Sequence, residues 1–255
     1  MNKPKNNRPD TDDTWVYGIR PIIEALDAHR PIDKVLLRTG SAGGDMLALL
    51  RQRLSDEHIP IQYVPVEKLN ALTHNANHQG VAASVSPIVY RSFEPVVQQL
   101  LDAGKVPFVV LLDHVTDVRN VGAIARSAEC AGVDALVVPT HGSARIGADA
   151  VKSSAGALLR LPVCREANLK STVNMAHAME MQVVVASEKG RVHYGEIDYR
   201  VPTLLLMGSE DKGVSPDLMR LADHWARIPI VGAIQSLNVS VAAALFMFEA
   251  LRQRQ

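Results

Sequence analysis

The sequence predicts an α/β protein, with a parallel-sheet domain over residues 107–255 preceded by a small α/β unit over 14–90. Three observations lead there. From Phe108 onward, short Val/Leu/Ala runs alternate with segments of helical period. Continuous apolar runs of that length suit parallel strands covered on both faces. Three polar turns bearing Gly, Ser or Asn fall where such runs give way: after Asp113, at Gly208 and ahead of Val239. Ligands of open parallel sheets gather at the carboxyl ends of strands, so these turns form the candidate site.

Residues 1–13, "MNKPKNNRPDTDD", are polar and lack an apolar core, which reads as a disordered leader and not a signal peptide. "RPIIEALDAHR" then predicts a helix with Pro21 in its first turn and Ile22, Ile23 and Leu26 on one face. "KVLLR" is a buried strand, and "GGDMLALLRQRL" a helix with Asp45 as N-cap and Leu47, Leu50 and Leu54 at helical spacing. "IQYV", the helical "VEKLNALT" and "GVAASVSP" complete the first unit. Residues 91–106 hold an amphipathic helix and read as a connector. The strands expected beyond it are "FVVLL", "ALVVP", "RLPVC", "QVVVAS", "TLLLMG" and "ARIPI", with helices following from Val121, Ala148, Leu169, Pro216 and Val239.

Composition narrows the function classes. Lys plus Arg and Asp plus Glu number 27 each, so a field that grips nucleic acid by charge alone is excluded, and any such binding needs a local patch or shaped pocket. No apolar run approaches the roughly 20 residues that span a membrane, and a cytoplasmic protein is expected. The two cysteines, Cys130 and Cys164, have no CxxC or His-rich company and read as small buried hydrophobes in a reducing compartment.

Each motif has a plain reading beside a functional one. Asn120 opens "VGAIARSAECAG" and serves either as the helix cap or as a site residue. Arg126 either snorkels to water or points into the cleft, where its planar fork matches a phosphate or ribose oxygen. "GSEDKGVS" from Gly208 has P-loop spacing, but Lys212 precedes the second glycine, so the P-loop reading fails. What remains is a tight turn presenting Ser209 and Glu210. Ser236 and Asn238 cap the last helix or line the site, and Val241, Leu245 and Phe248 are expected as its buried stripe. So apolar a terminal helix is core or subunit interface. His74 and His78 have ligand spacing, yet Asn75 stands where a zincin needs Glu; the segment reads as a substrate-facing loop, with no metal. No GxGxxG follows any strand, which excludes a dinucleotide enzyme. The polar set suits a sugar hydroxyl and a cationic cofactor.

Taken in order, the stretches N-x-G-x-x-x-R at Asn120–Arg126, G-S-E-x-x-G at Gly208–Gly213 and S-L-N-V-S-V-A at Ser236–Ala242 resemble the signature segments of the SpoU (TrmH-like) family of RNA 2′-O-methyltransferases. "YGIRPIIEAL" and "HQGV" resemble that family's small substrate-binding domain, so the likeness covers nearly the whole chain. The resemblance implies a C-terminal knotted domain of the SPOUT class, with a trefoil knot, and a homodimer with sites near the subunit interface. It implies S-adenosylmethionine as cofactor and large-subunit ribosomal RNA as partner, with a guanosine of the peptidyl-transferase region as target. The alternatives are a transfer RNA ribose, or an RNA-binding assembly factor without activity.

Carried over by matching positions, the resemblance implies catalytic roles for Asn120, Arg126, Glu210, Ser236 and Asn238. It implies cofactor contacts at Gly208, Ile228 and Leu237, with Thr140, after "ALVVP", as a further candidate. Glu210 and Asn120 are expected to hold Arg126 in register. Where family members often carry Pro-His ahead of the motif Asn, this chain has Val118 and Arg119, an exchange that bears on target choice and adds a cation for phosphate.

Overall fold

The chain divides between Pro87 and Ile88 into two units, in a computed structural model that describes residues 15–40, 44–233 and 236–255. The expected leader lies outside the described residues. The first unit runs β1 (Trp15–Tyr17), α1 (Ile19–Asp27), β2 (Ile32–Arg38), α2 (Asp45–Asp56), β3 (Ile61–Val64), α3 (Val66–Leu72) and β4 (Val81–Val85). Its sheet has the order β1-β4-β2-β3, with β4 antiparallel to both neighbours and β2 parallel to β3. Alternation along the strands sends Val35, Leu37 and Val81 to one face, under Ile22, Leu26, Leu50 and Leu54 of α1 and α2. Leu36, Val64 and Ala82 face the other way, under Leu69 of α3.

One expectation for this unit is corrected. Asp45 is the first residue of α2 and not its cap, which is Gly44; the carboxylate there still complements the helix dipole. The His78 side chain turns inward and holds its own loop. Its ring is 8% exposed; Nδ1 accepts from the Gly80 N–H at 2.9 Å and Nε2 meets Asn70 Oδ1 at 2.9 Å. Next to it, Gln79 Oε1 accepts from the Ile19 N–H at 3.0 Å, satisfying a donor of α1 that the Gly18 cap has no side chain to meet.

The second unit comprises β5 (Tyr90–Arg91), α4 (Phe93–Asp102), β6 (Phe108–Asp113), α5 (Val118–Cys130), β7 (Ala135–Pro139), α6 (Ala148–Ser153), β8 (Val163–Glu166), α7 (Leu169–Ala178), β9 (Gln182–Ala186), β10 (Val192–His193), β11 (Thr203–Gly208), α8 (Pro216–Met219), β12 (His224–Arg227) and α9 (Val239–Arg254). The eight strands pair in the order β10-β12-β9-β11-β6-β7-β8-β5, every pair parallel. Every residue of β6 and β11 is buried, as the apolar runs predict. One face carries Val110, Leu112, Leu205 and Met207 against α5 and α9, the other Val109, Leu111, Leu204 and Leu206 against α4, α7 and α8.

The order contains a reversal. From β6 the chain builds outward through β7 and β8, then crosses back to β9, and β11 fills the place between β9 and β6. Crevices open at the carboxyl ends of strands where such a reversal occurs.

Four further expectations change. Residues 91–106 are no free connector: Phe93, Val96 and Val97 of α4 are buried in the core of the second unit, and Arg91 pairs with Cys164 in the sheet. Residues Val241, Leu245 and Phe248 are 49%, 37% and 47% exposed, while Val239, Ala243, Phe246, Met247 and Ala250 are the buried face of α9. A helix apolar all round gives periodicity no contrast by which to choose its buried side. Cys164 is buried, and burial pushes its thiol up to about 12, but Cys130 is exposed at the end of α5. The last strand is "HWAR" and not "ARIPI", ending before Pro229.

Close packing explains one motif residue. A Cβ on Gly122 would lie 1.9 Å from Ser153 Oγ, so the glycine lets α5 approach α6. At the other end of the sheet Arg254, at the end of α9, donates to the carbonyls of Tyr199 (2.6 Å) and Val106 (2.7 Å), pinning the chain terminus to the core. Beneath it, Tyr199 is fully buried with a hydroxyl that meets no described hydrogen-bond partner. Tyr199→Phe removes that orphan while keeping the edge contact with Phe108. The substitution should raise stability by about 1–3 kcal/mol, readable as a higher midpoint in thermal unfolding; a lower midpoint would mean that the hydroxyl has a partner in solution.

Candidate functional site

The segments after β9, β11 and β12 converge with the start of α9 at the carboxyl ends of those strands. Between them lies a cleft of about 280 Å³, near the lower end of the roughly 300–1,000 Å³ usual for small-molecule pockets. Its apolar wall includes Met207, Val214, Ile228, Leu237 and Phe246, and its charged lining comprises Glu188, Glu210 and Asp211 with Lys189 and Lys212.

The turn after β11 is built for close approach. A Cβ on Gly208 would lie 2.0 Å from the Gly213 carbonyl carbon and 2.1 Å from the Val214 nitrogen, so the chain folds back on itself only because Gly208 has none. Gly213, at φ 68°, occupies the left-handed region. The Gly213 N–H donates to the Ser209 carbonyl at 2.9 Å, and the Lys212 N–H to Ser209 Oγ at 3.2 Å. At the base of the turn the Ser215 N–H donates to Asp113 Oδ2 at 2.7 Å. Asp113 ends β6 opposite Gly208, is 2% exposed, and receives His114 Nδ1 on its other oxygen at 2.5 Å.

At the tip of that turn Glu210 joins the other two motifs. Its Oε1 accepts from Asn120 Nδ2 at 2.9 Å, from Asn238 Nδ2 in a shorter contact, and from the Val239 N–H at 3.4 Å. Asn238 Nδ2 also reaches Asn120 Oδ1 at 3.0 Å. Asn120 is not the helix cap. The cap is Asp117, which accepts from the Arg119 N–H at 2.7 Å, and α5 already begins at Val118, so the Asn120 side chain in the first turn is free for Glu210. Asn238 does both jobs: Oδ1 caps α9 through the Ser240 N–H at 2.9 Å while Nδ2 serves the cluster.

The expected residues therefore separate into groups. Gly208, Glu210, Ile228, Ser236 and Leu237 line the cleft, and Asn120 and Asn238 join it through Glu210. Thr140 is not there. Its N–H continues the ladder from β7 to the Glu166 carbonyl, and β7 lies on the far side of β6 from β11. Nor is Arg126 held by Glu210 and Asn120, which bond Asn238 and each other; Arg126 is exposed on α5 and meets no described partner.

Asp113 and the Ser187–Lys189 segment after β9 were not foreseen, although both stand at strand carboxyl ends. Ser187 to Lys189 line the cleft because Gly190 lets the chain pass within 2.6 Å of the Ala226 backbone, measured from where its Cβ would be. Among the described residues no three His, Cys, Asp or Glu side chains converge as a metal site. Nor is any described helix long and apolar enough to cross a membrane.

Comparison with known proteins bears on this geometry. Residues 107–248 match the SpoU rRNA Methylase family, and residues 15–91 match a domain described as RNA 2′-O ribose methyltransferase substrate binding. A protein of Staphylococcus aureus strain MSSA476, assigned by name to the TrmH family of tRNA/rRNA methyltransferases, is 32% identical over 243 residues, covering 95% of this chain and 97% of its own. Among solved structures, the SpoU methyltransferase AviRb from Streptomyces viridochromogenes in complex with AdoMet superposes with a TM-score of 0.60 at 27% identity, covering 94% of this chain and 90% of that one. An AdoMet-bound rRNA methyltransferase from Sinorhizobium meliloti gives 0.60 at 26% identity, covering 94% and 87%.

Proposed function

The chain belongs to the SpoU (TrmH-like) family of RNA 2′-O-methyltransferases, and from that premise we propose that it transfers a methyl group from S-adenosylmethionine to the ribose 2′-OH of a guanosine in the peptidyl-transferase region of large-subunit ribosomal RNA, as the RlmB branch of the family does. The observation that carries the reading is the junction of Asn120, Glu210 and Asn238, one residue from each motif, at the edge of a cleft with one apolar wall.

The cleft fits the cofactor's chemistry. Its apolar wall suits an aromatic base, and its charged lining, Glu188, Glu210 and Asp211 with Lys189 and Lys212, suits a cofactor that carries both a sulfonium and a carboxylate. Gly208, Ile228 and Leu237 would hold the cofactor, largely through backbone groups. When bound, it supplies an already activated methyl group for in-line displacement. The protein must then align the acceptor and stabilise charge on its oxygen. Alignment at near-attack distance can supply roughly 7–11 kcal/mol. Arg126 presents donors only, which suits a developing alkoxide better than it suits taking the proton; an RNA phosphate beside it takes the proton. Ser236 and Asn238 position the ribose, and Glu210 keeps Asn120 and Asn238 in register.

The first unit, 15–87, holds the RNA in this reading, and the protein works in the cytoplasm, where ribosomal RNA is processed. The exposed apolar side of α9, with Val241, Leu245 and Phe248 beside Tyr194, is the surface on which two copies pair. Sedimentation should show a dimer that Phe248→Asp dissociates; a monomeric wild-type protein would remove the pairing. The chain after β11 threads the family's trefoil knot, a reading supported by β12 lying beyond β9 while α9 returns to pack on α5.

The target is tested by tritium transfer from labelled S-adenosylmethionine into RNA from a strain lacking this protein, with the labelled nucleotide mapped. Label at one guanosine of the peptidyl-transferase region is expected. Label in transfer RNA would keep the chemistry and move the target.

A further inference from the structure

Arg119 and Arg126 stand on one stripe of α5. They lie seven residues apart, two helical turns, which sets them about 10 Å apart along the axis and offset by only about 20° around it. Both are exposed, with the small, half-buried Ala123 between them. Neither side chain meets a hydrogen-bond or ion-pair partner among the described residues. Some other arginines of this neutral chain do, Arg53 with Asp27, Arg200 with Asp198 and Arg252 with Glu249, so what sets Arg119 and Arg126 apart is their shared stripe on one helix.

The position of Arg119 is costly on its own terms. It sits in the first turn of a helix of 13 residues, where the dipole disfavours a cation. The nearest carboxylate on its element, Asp117, is engaged with the Arg119 backbone N–H, and Glu129 faces Arg160 at 3.9 Å. A side chain placed there contributes little to the fold. An anion brought to the same spot gains from the dipole and from the guanidinium together.

We propose that Arg119 is a second phosphate-holding residue, acting with Arg126 as a two-point clamp on the backbone of a single RNA strand laid along α5. It selects how the strand enters the site and leaves the chemistry to Arg126. The proposal rests on the RNA-methyltransferase reading and supplies the local patch that a neutral chain needs in order to hold RNA.

The test uses the full-length protein and a fluorescein-labelled single-stranded oligoribonucleotide of mixed sequence, with anisotropy titrations repeated across a series of salt concentrations. Arg119→Ala should weaken binding roughly tenfold and flatten the slope of log affinity against log salt by about 0.7, the share of one phosphate contact on a single strand. Arg119→Lys should restore the slope, because the charge is kept. The double variant Arg119→Ala with Arg126→Ala should lose about 1.4 in slope. Binding of S-adenosylhomocysteine should be unchanged in every variant, which separates lost RNA contact from misfolding. A wild-type slope in Arg119→Ala would overturn the clamp while leaving the methyltransferase reading intact. A wild-type protein that bound no RNA at any salt would overturn both.

Discussion

Gly208→Ala is expected to abolish cofactor binding and to lower stability. The new Cβ would meet the carbonyl carbon and oxygen of Gly213 at 2.0 and 2.3 Å and the nitrogen of Val214 at 2.1 Å. These are backbone atoms, so no rotamer change relieves the clash. The turn has little freedom to move either: Ser215 is bonded to buried Asp113 at one end, Glu210 to two asparagines at the tip, and Val214 is buried in the core. Overpacking at such a site costs about 3 kcal/mol or somewhat more, roughly 6–12 °C in a domain of this size. The cleft wall shifts with the turn, and a misplacement near 1 Å lowers turnover on the order of 100-fold. Calorimetry with S-adenosylhomocysteine and thermal unfolding read the two effects separately. Gly213→Ala is the control. Nothing lies within 4 Å of its Cβ position, and only the positive φ opposes it, at about 1–2 kcal/mol. A Gly208→Ala protein with wild-type affinity would mean that the turn does not shape the cofactor site.

Arg126→Ala should remove turnover while leaving S-adenosylhomocysteine affinity within about twofold, since Arg126 is not part of the cleft wall. Loss of one donor aimed at a developing oxyanion costs roughly 10²–10³ in rate, and loss of a two-pronged guanidinium reaches at least that. Arg126→Lys should fail as well, because a point charge does not reproduce the planar fork. The structure sharpens this expectation. An arginine locked in an ion pair with Glu210 would have its donors occupied, whereas Arg126 faces solvent with all of them available. Single-turnover rates and calorimetry together give the answer. Weak cofactor binding with preserved single-turnover chemistry would move Arg126 from the acceptor side of the reaction to the cofactor side.

Much of this was legible in the sequence, because the second unit obeys simple rules. "FVVLL", "ALVVP" and "TLLLMG" are buried on both faces and read directly as parallel strands, and Asn168 caps α7 as its position ahead of Leu169 suggests. Polar residues at the ends of such strands pointed to the site. What escaped depends on tertiary neighbours. Sequence spacing does not say that β11 lies between β9 and β6, so Thr140, just after β7, stood as a further candidate although it lies away from the cleft. For the same reason the Ser187–Lys189 wall went unnoticed. Asn120 resembled a cap because a good cap residue stood before an apolar helix, but Asp117, three residues earlier, took that place and left Asn120 a different role. On α9 the error is of another kind: Val241, Leu245 and Phe248 have the right spacing for a core stripe, and Phe246 and Met247 fill the core instead.

In the proposed reaction the accepting atom is a ribose 2′-oxygen and the donor S-adenosylmethionine. Alkaline hydrolysis tests it most directly, since cleavage of RNA by base requires a free 2′-hydroxyl. RNA labelled by this protein from tritiated S-adenosylmethionine should be hydrolysed to completion in alkali. The label is then expected in alkali-resistant dinucleotides. Label recovered in mononucleotides would place the methyl group on a base and rule out 2′-O transfer.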